Sequence, residues 1–278
     1  MAVFTTSIGL AAAGAMAAPT ASAAPAAGDG AGAAVAVFVA RGHAVTIDQT
    51  LRPGMHKFVV RSLDDASFQL ARPAPGYTKA EAARDINLGL NMGRIRALKR
   101  FERNIDLVGG VSSTADQAGV MWARLSAGTY WAVDTNTRTT RVRHLRTVQV
   151  AGPRVAGQAH PTAVIRAINE TDWAPRPRQI SHRGRLEFRN NSADNHFIIL
   201  ARLADGKTMA DFKAWIDGGA QTPPPIDERA AGLDTGVVSP GMRMTLRYNL
   251  PRGRYVMLCF WPDADMGGMP HVFMGMYR

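Results

Sequence analysis

Chemistry-bearing side chains crowd into the last twenty or so residues of this 278-residue chain. Gly253-Arg-Tyr-Val-Met-Leu reads as a turn and then a β-strand, with Tyr255 and Met257 on one face and Val256 and Leu258 on the other. The strand ends at Cys259, the only cysteine. His271 and Met276 follow. A thiol, an imidazole and thioethers form a soft donor set of the kind that suits copper. The plainer reading makes Cys259 a small buried hydrophobe and the methionines core filler.

A second stretch adds a further imidazole. Phe188-Arg-Asn190-Asn191, four residues, His196 and then Phe-Ile-Ile-Leu200 reads as a strand, an Asn-rich turn and a strand opening on histidine. This run resembles the first copper-ligand segment of the plastocyanin-type cupredoxins. Gly253-x-Tyr255-x-x-x-Cys259 resembles their cysteine strand, and His271-x4-Met276 their second histidine and axial methionine. The resemblance covers residues 184–278. It implies a Greek-key β-sandwich with copper held by His196, Cys259, His271 and Met276. Met274 is the alternative axial thioether. One departure stands out: the family keeps cysteine and second histidine a few residues apart, and here Phe260 to Pro270 intervene. That insertion either covers the site or holds His271 away from it.

The elements that must position these residues occur twice. Gly54 and Gly184, Leu70-Ala-Arg72 and Leu200-Ala-Arg202, Gly76-x-Thr78 and Gly206-x-Thr208, and Ile86 and Ile216 all lie 130 positions apart. Leu125 and Leu250, and Gly128-x-Tyr130 and Gly253-x-Tyr255, lie 125 apart. A constant offset across different residue types marks two copies of one unit. Each copy reads as short strands with one helical insertion opened by a capping box, Thr78-Lys-Ala-Glu81 and Thr208-Met-Ala-Asp211. The fold expected is therefore all-β: two tandem Greek-key cupredoxin-like β-sandwiches, residues 34–150 and 151–278, each with its own core. The donors are not repeated. His196 aligns with Ala66 and Cys259 with Asp134, so the first module has no metal ligands. His43, His56, His144, His160 and His182 read as surface or structural histidines.

Residues 1–23 read as a signal peptide: Phe4 to Ala18 is small and apolar, and Ala21-Ser-Ala23 offers a cleavage site, though no basic residue precedes it. Residues 24–33 read as a disordered, Ala-, Gly- and Pro-rich lead-in. The expected location is secreted. One cysteine excludes an internal disulfide, and no later apolar run reaches membrane-spanning length. The formal charge is +11, with arginine far outnumbering lysine. An anionic surface or polymer is therefore a possible partner, but no stacking aromatics interleave the basic clusters, which argues against nucleic acid. No His-x-His pair, nucleophile elbow, P-loop or H-E-x-x-H occurs, so the chain reads as no enzyme. The expected function is copper binding for electron transfer or copper handling, with a redox or copper-donor protein as partner. The alternative is a metal-free β-sandwich interaction module at the cell surface.

Overall fold

The computed structural model describes residues 34–48 and 50–278. The expected signal peptide and lead-in lie outside them. The first half contains β1 (Ala34–Val39), β2 (Val45–Ile47), β3 (Thr50–Leu51), β4 (Gly54–Ser62) and β5 (Ala66–Pro73). It continues with α1 (Lys79–Ile86), α2 (Ile95–Asn104), β6 (Ile105–Ser113), β7 (Gly119–Leu125), β8 (Gly128–Asp134) and β9 (Arg146–Val150). The second half contains β10 (Ala163–Ala167), β11 (Arg183–Asn190), β12 (Ile199–Arg202), α3 (Met209–Asp217), β13 (Leu233–Asp234), β14 (Arg243–Asn249) and β15 (Tyr255–Leu258). A short hairpin, β16 (Pro262–Asp263) and β17 (Met269–Pro270), closes the strand set before a 3-10 turn at His271–Met274. The all-β class with helical insertions is what the sequence led us to expect.

Pairings in the two halves match. β1 runs parallel to β4 with Ala34 opposite Lys57, and β10 parallel to β11 with Ala163 opposite Leu186, the same separation along the chain. β5 pairs antiparallel with β8, Leu70 opposite Ala132, as β12 does with β15, Leu200 opposite Met257. Both capping boxes form: the Thr78 and Thr208 hydroxyls accept from the Glu81 and Asp211 amides, and each carboxylate accepts from its threonine's backbone N–H. That exchange satisfies amides the first helical turn leaves free. One register differs. Gly54 faces Leu125, whereas Gly184 faces Tyr248, two residues before Leu250. A slip of two keeps every side chain on its own face, so the core survives it.

The two halves are joined to each other along one sheet. β7 of the first half pairs antiparallel with β14 of the second, Met244 opposite Ala123 and Leu246 opposite Met121. One sheet therefore runs through both, in the order β10-β11-β14-β7-β4-β1-β2. Over it lie a sheet of order β3-β9-β8-β5-β6 and a smaller one of order β13-β12-β15. Most of the buried apolar residues of both halves, from Phe58, Phe68 and Met121 to Leu186, Phe188 and Met244, form one cluster. The physical reason is edge burial: two central-length edge strands with apolar faces are costly to leave unpaired, and each supplies the other's ladder. Glycine makes the approach possible. A Cβ on Gly236 would fall 2.6 Å from the Gly110 backbone, and the Gly110 amide donates to the Thr235 carbonyl at 2.8 Å.

Candidate metal centre

β15 alternates between two cores. Tyr255 and Met257 face the main cluster; Val256 and Leu258 face a smaller one with Phe212, Ile216 and Val272 from α3 and the C-terminal turn. The strand is thus held on both sides and delivers Cys259 to a fixed place. His196 does not open a regular strand as its sequence suggests. It lies three residues before β12 and forms a single bridge, its N–H donating to the Val238 carbonyl and its carbonyl accepting from the Val238 N–H. The loop before it is pinned by buried Asn190, whose Nδ2 donates to the carbonyls of Asp194 at 2.6 Å and Val238 at 2.8 Å. Asn190 Oδ1 accepts from the Ser192 amide and hydroxyl. The Ser239 hydroxyl donates to Asn195 Oδ1 at 2.6 Å and accepts from the Leu107 amide, so the first half braces this loop.

The eleven-residue insertion does not carry His271 away. It folds into the β16–β17 hairpin, Pro262 opposite Pro270, and the His271 amide donates to the Trp261 carbonyl at 3.0 Å. The ends of the insertion therefore meet, and its length is spent on a projection beyond the site. Met276 closes the circuit: its N–H donates to the His271 carbonyl at 2.9 Å and its carbonyl accepts from the Cys259 N–H at 3.3 Å. Its side chain is fully buried in the cluster containing Cys259 and Trp261. Met274 is only half-buried.

Three donor atoms converge. Cys259 Sγ lies 3.5 Å from His196 Nδ1 and 3.7 Å from His271 Nδ1, and the two Nδ1 atoms are 3.0 Å apart. All three residues are fully buried. A point equidistant from atoms at these separations lies roughly 2 Å from each, close to ordinary metal–nitrogen and metal–thiolate bond lengths. The Nε2 atoms of both rings are buried without a hydrogen-bond partner. Packing alone does not account for three polar atoms aimed at one point in an apolar core.

Burial sets the charge state. It pushes the His196 imidazole down to about 3, helped by repulsion from His271; the Asn169 backbone offsets this in part without reaching hydrogen-bonding geometry to Nε2. Burial likewise lowers His271 to about 4, and the Asp263 carboxylate counters it. The same desolvation raises the Cys259 thiol to about 12, against backbone hydrogen bonds from Phe197 and Trp261. At neutral pH the pocket holds two neutral imidazoles and a thiol. The imidazoles offer lone pairs at no protonation cost, and an incoming cation has one thiol proton to displace.

Four features escaped the sequence reading. Asn190 stands in the motif, but its role as the pin of the His196 loop depends on Val238, far along the chain. The Trp173 ring lies 6.3 Å from that of His196. Trp261 Nε1 donates to Glu102 of α2 at 2.7 Å, joining the first half to the site loop. Asp194 and Asp263 gather beside His271. Only Asn190 left a signal in the sequence, the paired asparagines. Three of the histidines read as surface or structural have partners within the fold: His43 Nδ1 pairs with Asp134 at 2.7 Å, and His56 Nε2 with the Arg52 carbonyl at 2.6 Å. His144 is buried, its Nδ1 accepting from the Arg141 amide.

No family model matches the chain, and no curated protein does. Among solved structures it is similar to reduced auracyanin from Roseiflexus castenholzii, at 24% identity over 39% of this chain and 91% of that one, TM-score 0.24. Auracyanin A of Chloroflexus aurantiacus, described as a blue copper protein, is 14% identical over 43% of this chain and 100% of that one, TM-score 0.30. Fet3p, described as a multicopper oxidase that functions in iron import, is 8% identical over 88% of this chain and 64% of that one, TM-score 0.23. These TM-scores are low, and the chemistry of the site rests on its own geometry.

Proposed function

We propose that the second half is a copper-binding module, and that the protein is a secreted electron carrier or copper-handling protein rather than an enzyme. The observation that carries this is the convergence of Cys259 Sγ with the Nδ1 atoms of His196 and His271 in a fully buried pocket. Two imidazoles, from His196 and His271, and the Cys259 thiolate would hold copper, and Met276, buried against the same cluster, would be the thioether donor beside them. Copper held there would supply one-electron exchange, with no bond to a substrate made or broken. The chain's own part is to fix the donors: the β12–β15 ladder holds the two strands, the Val238 bridge holds His196, and the hairpin closure holds His271. Rigid donors change little between oxidation states, which favours electron transfer. The buried pocket excludes water, and the His271 turn exposes Phe273, with Met269 and Met266 on the preceding hairpin. That apolar surface is where a redox or copper-donor protein would dock.

The first half, on this reading, is a copy of the same unit without ligands. Asp134, at the place of Cys259, spends its oxygens on the Ser67 and Asn136 amides and on His43, so it serves structure. A metal-free interaction module remains the competing description of the whole chain.

Addition of Cu(II) to the purified protein should produce an intense visible thiolate-to-copper band at one equivalent. Cys259→Ser should abolish it while leaving the fold intact. A colourless protein that binds Cu(I) through Cys259 would assign copper handling, and absence of stoichiometric copper binding would leave the metal-free module.

A further inference from the structure

His271 has two faces. Its Nδ1 is turned toward Cys259 and His196, at 3.7 and 3.0 Å. Its Nε2 is buried and has no hydrogen-bond partner. A ring nitrogen of the same histidine, one oxygen of Asp194 and one of Asp263 all lie within 4.8 Å of one another. The two carboxylates come from different parts of the chain, the loop that carries His196 and the β16–β17 hairpin. Asp263 Oδ1 accepts from the Asp265 and Met266 amides. That turn fixes the carboxylate and leaves its second oxygen free. No cationic side chain pairs with Asp194 or Asp263 among the described residues. The neighbouring lysine, Lys99, is engaged by Asp265, and Glu170 adds further negative charge around Asp194. On a chain of net charge +11, where basic side chains are abundant, this acidic pocket lacks one.

We propose that Asp194, Asp263 and Nε2 of His271 form a second metal site, for a divalent first-row cation such as zinc or cobalt(II), sharing His271 with the soft site. Donor chemistry separates the two. A thiolate and thioether select copper, whereas one imidazole with two carboxylates suits a harder divalent ion and leaves room for water ligands. Occupation of both sites places an imidazolate between the ions, the Nε2 proton passing to solvent. The second ion would then fasten the His196 loop and the hairpin to each other through a residue of the first site. That coupling is the functional consequence.

Cobalt(II) is the probe, because its visible bands report donor type. Wild-type protein should bind two equivalents, one with a thiolate charge-transfer band and one without. In Cys259→Ala/His196→Ala the soft site is gone, and one equivalent should still bind with only nitrogen and oxygen donors. Adding Asp194→Asn and Asp263→Asn, which keep size and the turn hydrogen bonds, should weaken that binding at least tenfold. The Asp194→Asn single variant of the otherwise unaltered protein, at the less buried position, should lose the second equivalent and keep the thiolate band. Failure of the copper reading would show as absence of the thiolate band with the second equivalent retained. Unchanged cobalt affinity in the aspartate variants, or only weak binding without defined stoichiometry, would overturn the proposal.

Discussion

The side chains of the pocket store a protonation mismatch that pH should expose. Without metal, His196 and His271 are held neutral at values of about 3 and about 4, while in an unfolded chain they titrate near 6.5. Between those limits the unfolded state binds more protons, so stability falls as pH drops below about 6.5, by up to about 1.4 kcal/mol per pH unit for each imidazole. Cys259 acts at the other end. Its thiol is raised from 9.0 to about 12, so stability should fall as pH rises from about 9, where the unfolded thiol ionises first. Denaturant unfolding of the metal-free protein across pH 4–10, an interval set by these shifts, should show both slopes. His271→Gln should flatten the acid limb. An unchanged acid limb in that variant would show that the imidazole is not held neutral by the fold.

At the scale of elements, the site loop is gripped by a helix from the other half. Trp261 Nε1 donates to Glu102, Lys99 pairs with Asp265, and a Cβ on Gly268 would sit 3.0 Å from Ile95 Cδ1. All three partners lie on α2. The contacts differ in value. The Glu102 bond is half-buried and charge-assisted, worth about 1.5–3 kcal/mol, whereas the Lys99 pair is exposed and worth about 0–1 kcal/mol. Glu102→Ala should therefore speed amide hydrogen exchange across residues 260–271 while β1, β2 and β9 stay protected. Lys99→Ala should change that exchange little. A uniform loss of protection in Glu102→Ala would mean the helix supports the whole fold and not this loop.

For the molecule as a whole, the β7–β14 seam joins the two halves in one sheet. The cross-half links include Gln69, whose Nε2 donates to the Val237 carbonyl and whose Oε1 accepts from the Val237 amide, and Leu107, which holds Ser239. Ser239 in turn supports Asn195 beside the first site histidine. Residues 151–278 expressed alone would expose the edge of β14 and the apolar faces of Met244 and Leu246. That fragment should self-associate or precipitate, as exposed edge strands do. Size-exclusion chromatography checks this. A monomeric fragment that binds copper like the full chain would show that the seam is dispensable.

The elements, and two of the side chains that converge in the pocket, were legible in the sequence. Alternation placed Tyr255 to Leu258 on a strand, threonine three residues before an acid marked both helix starts, and the 130-residue offset found pairings that recur in the sheets. These are local signals, carried by side-chain period and by caps spanning four residues. The F-x-N-N run and the lone cysteine named His196 and Cys259 for the same reason. Whether His271 could join them was not legible, because spacing along a chain does not determine separation in space. That was decided by a hairpin whose ends meet at Trp261 and His271. The continuous sheet, the brace from Leu107 through Ser239 to Asn195, and the pairing of Asp194 with Asp263 were likewise decided by tertiary structure. Each depends on edges or side chains more than forty residues apart in sequence. Such contacts leave no periodicity in a single sequence, and only the packing of both halves around one core brings them together.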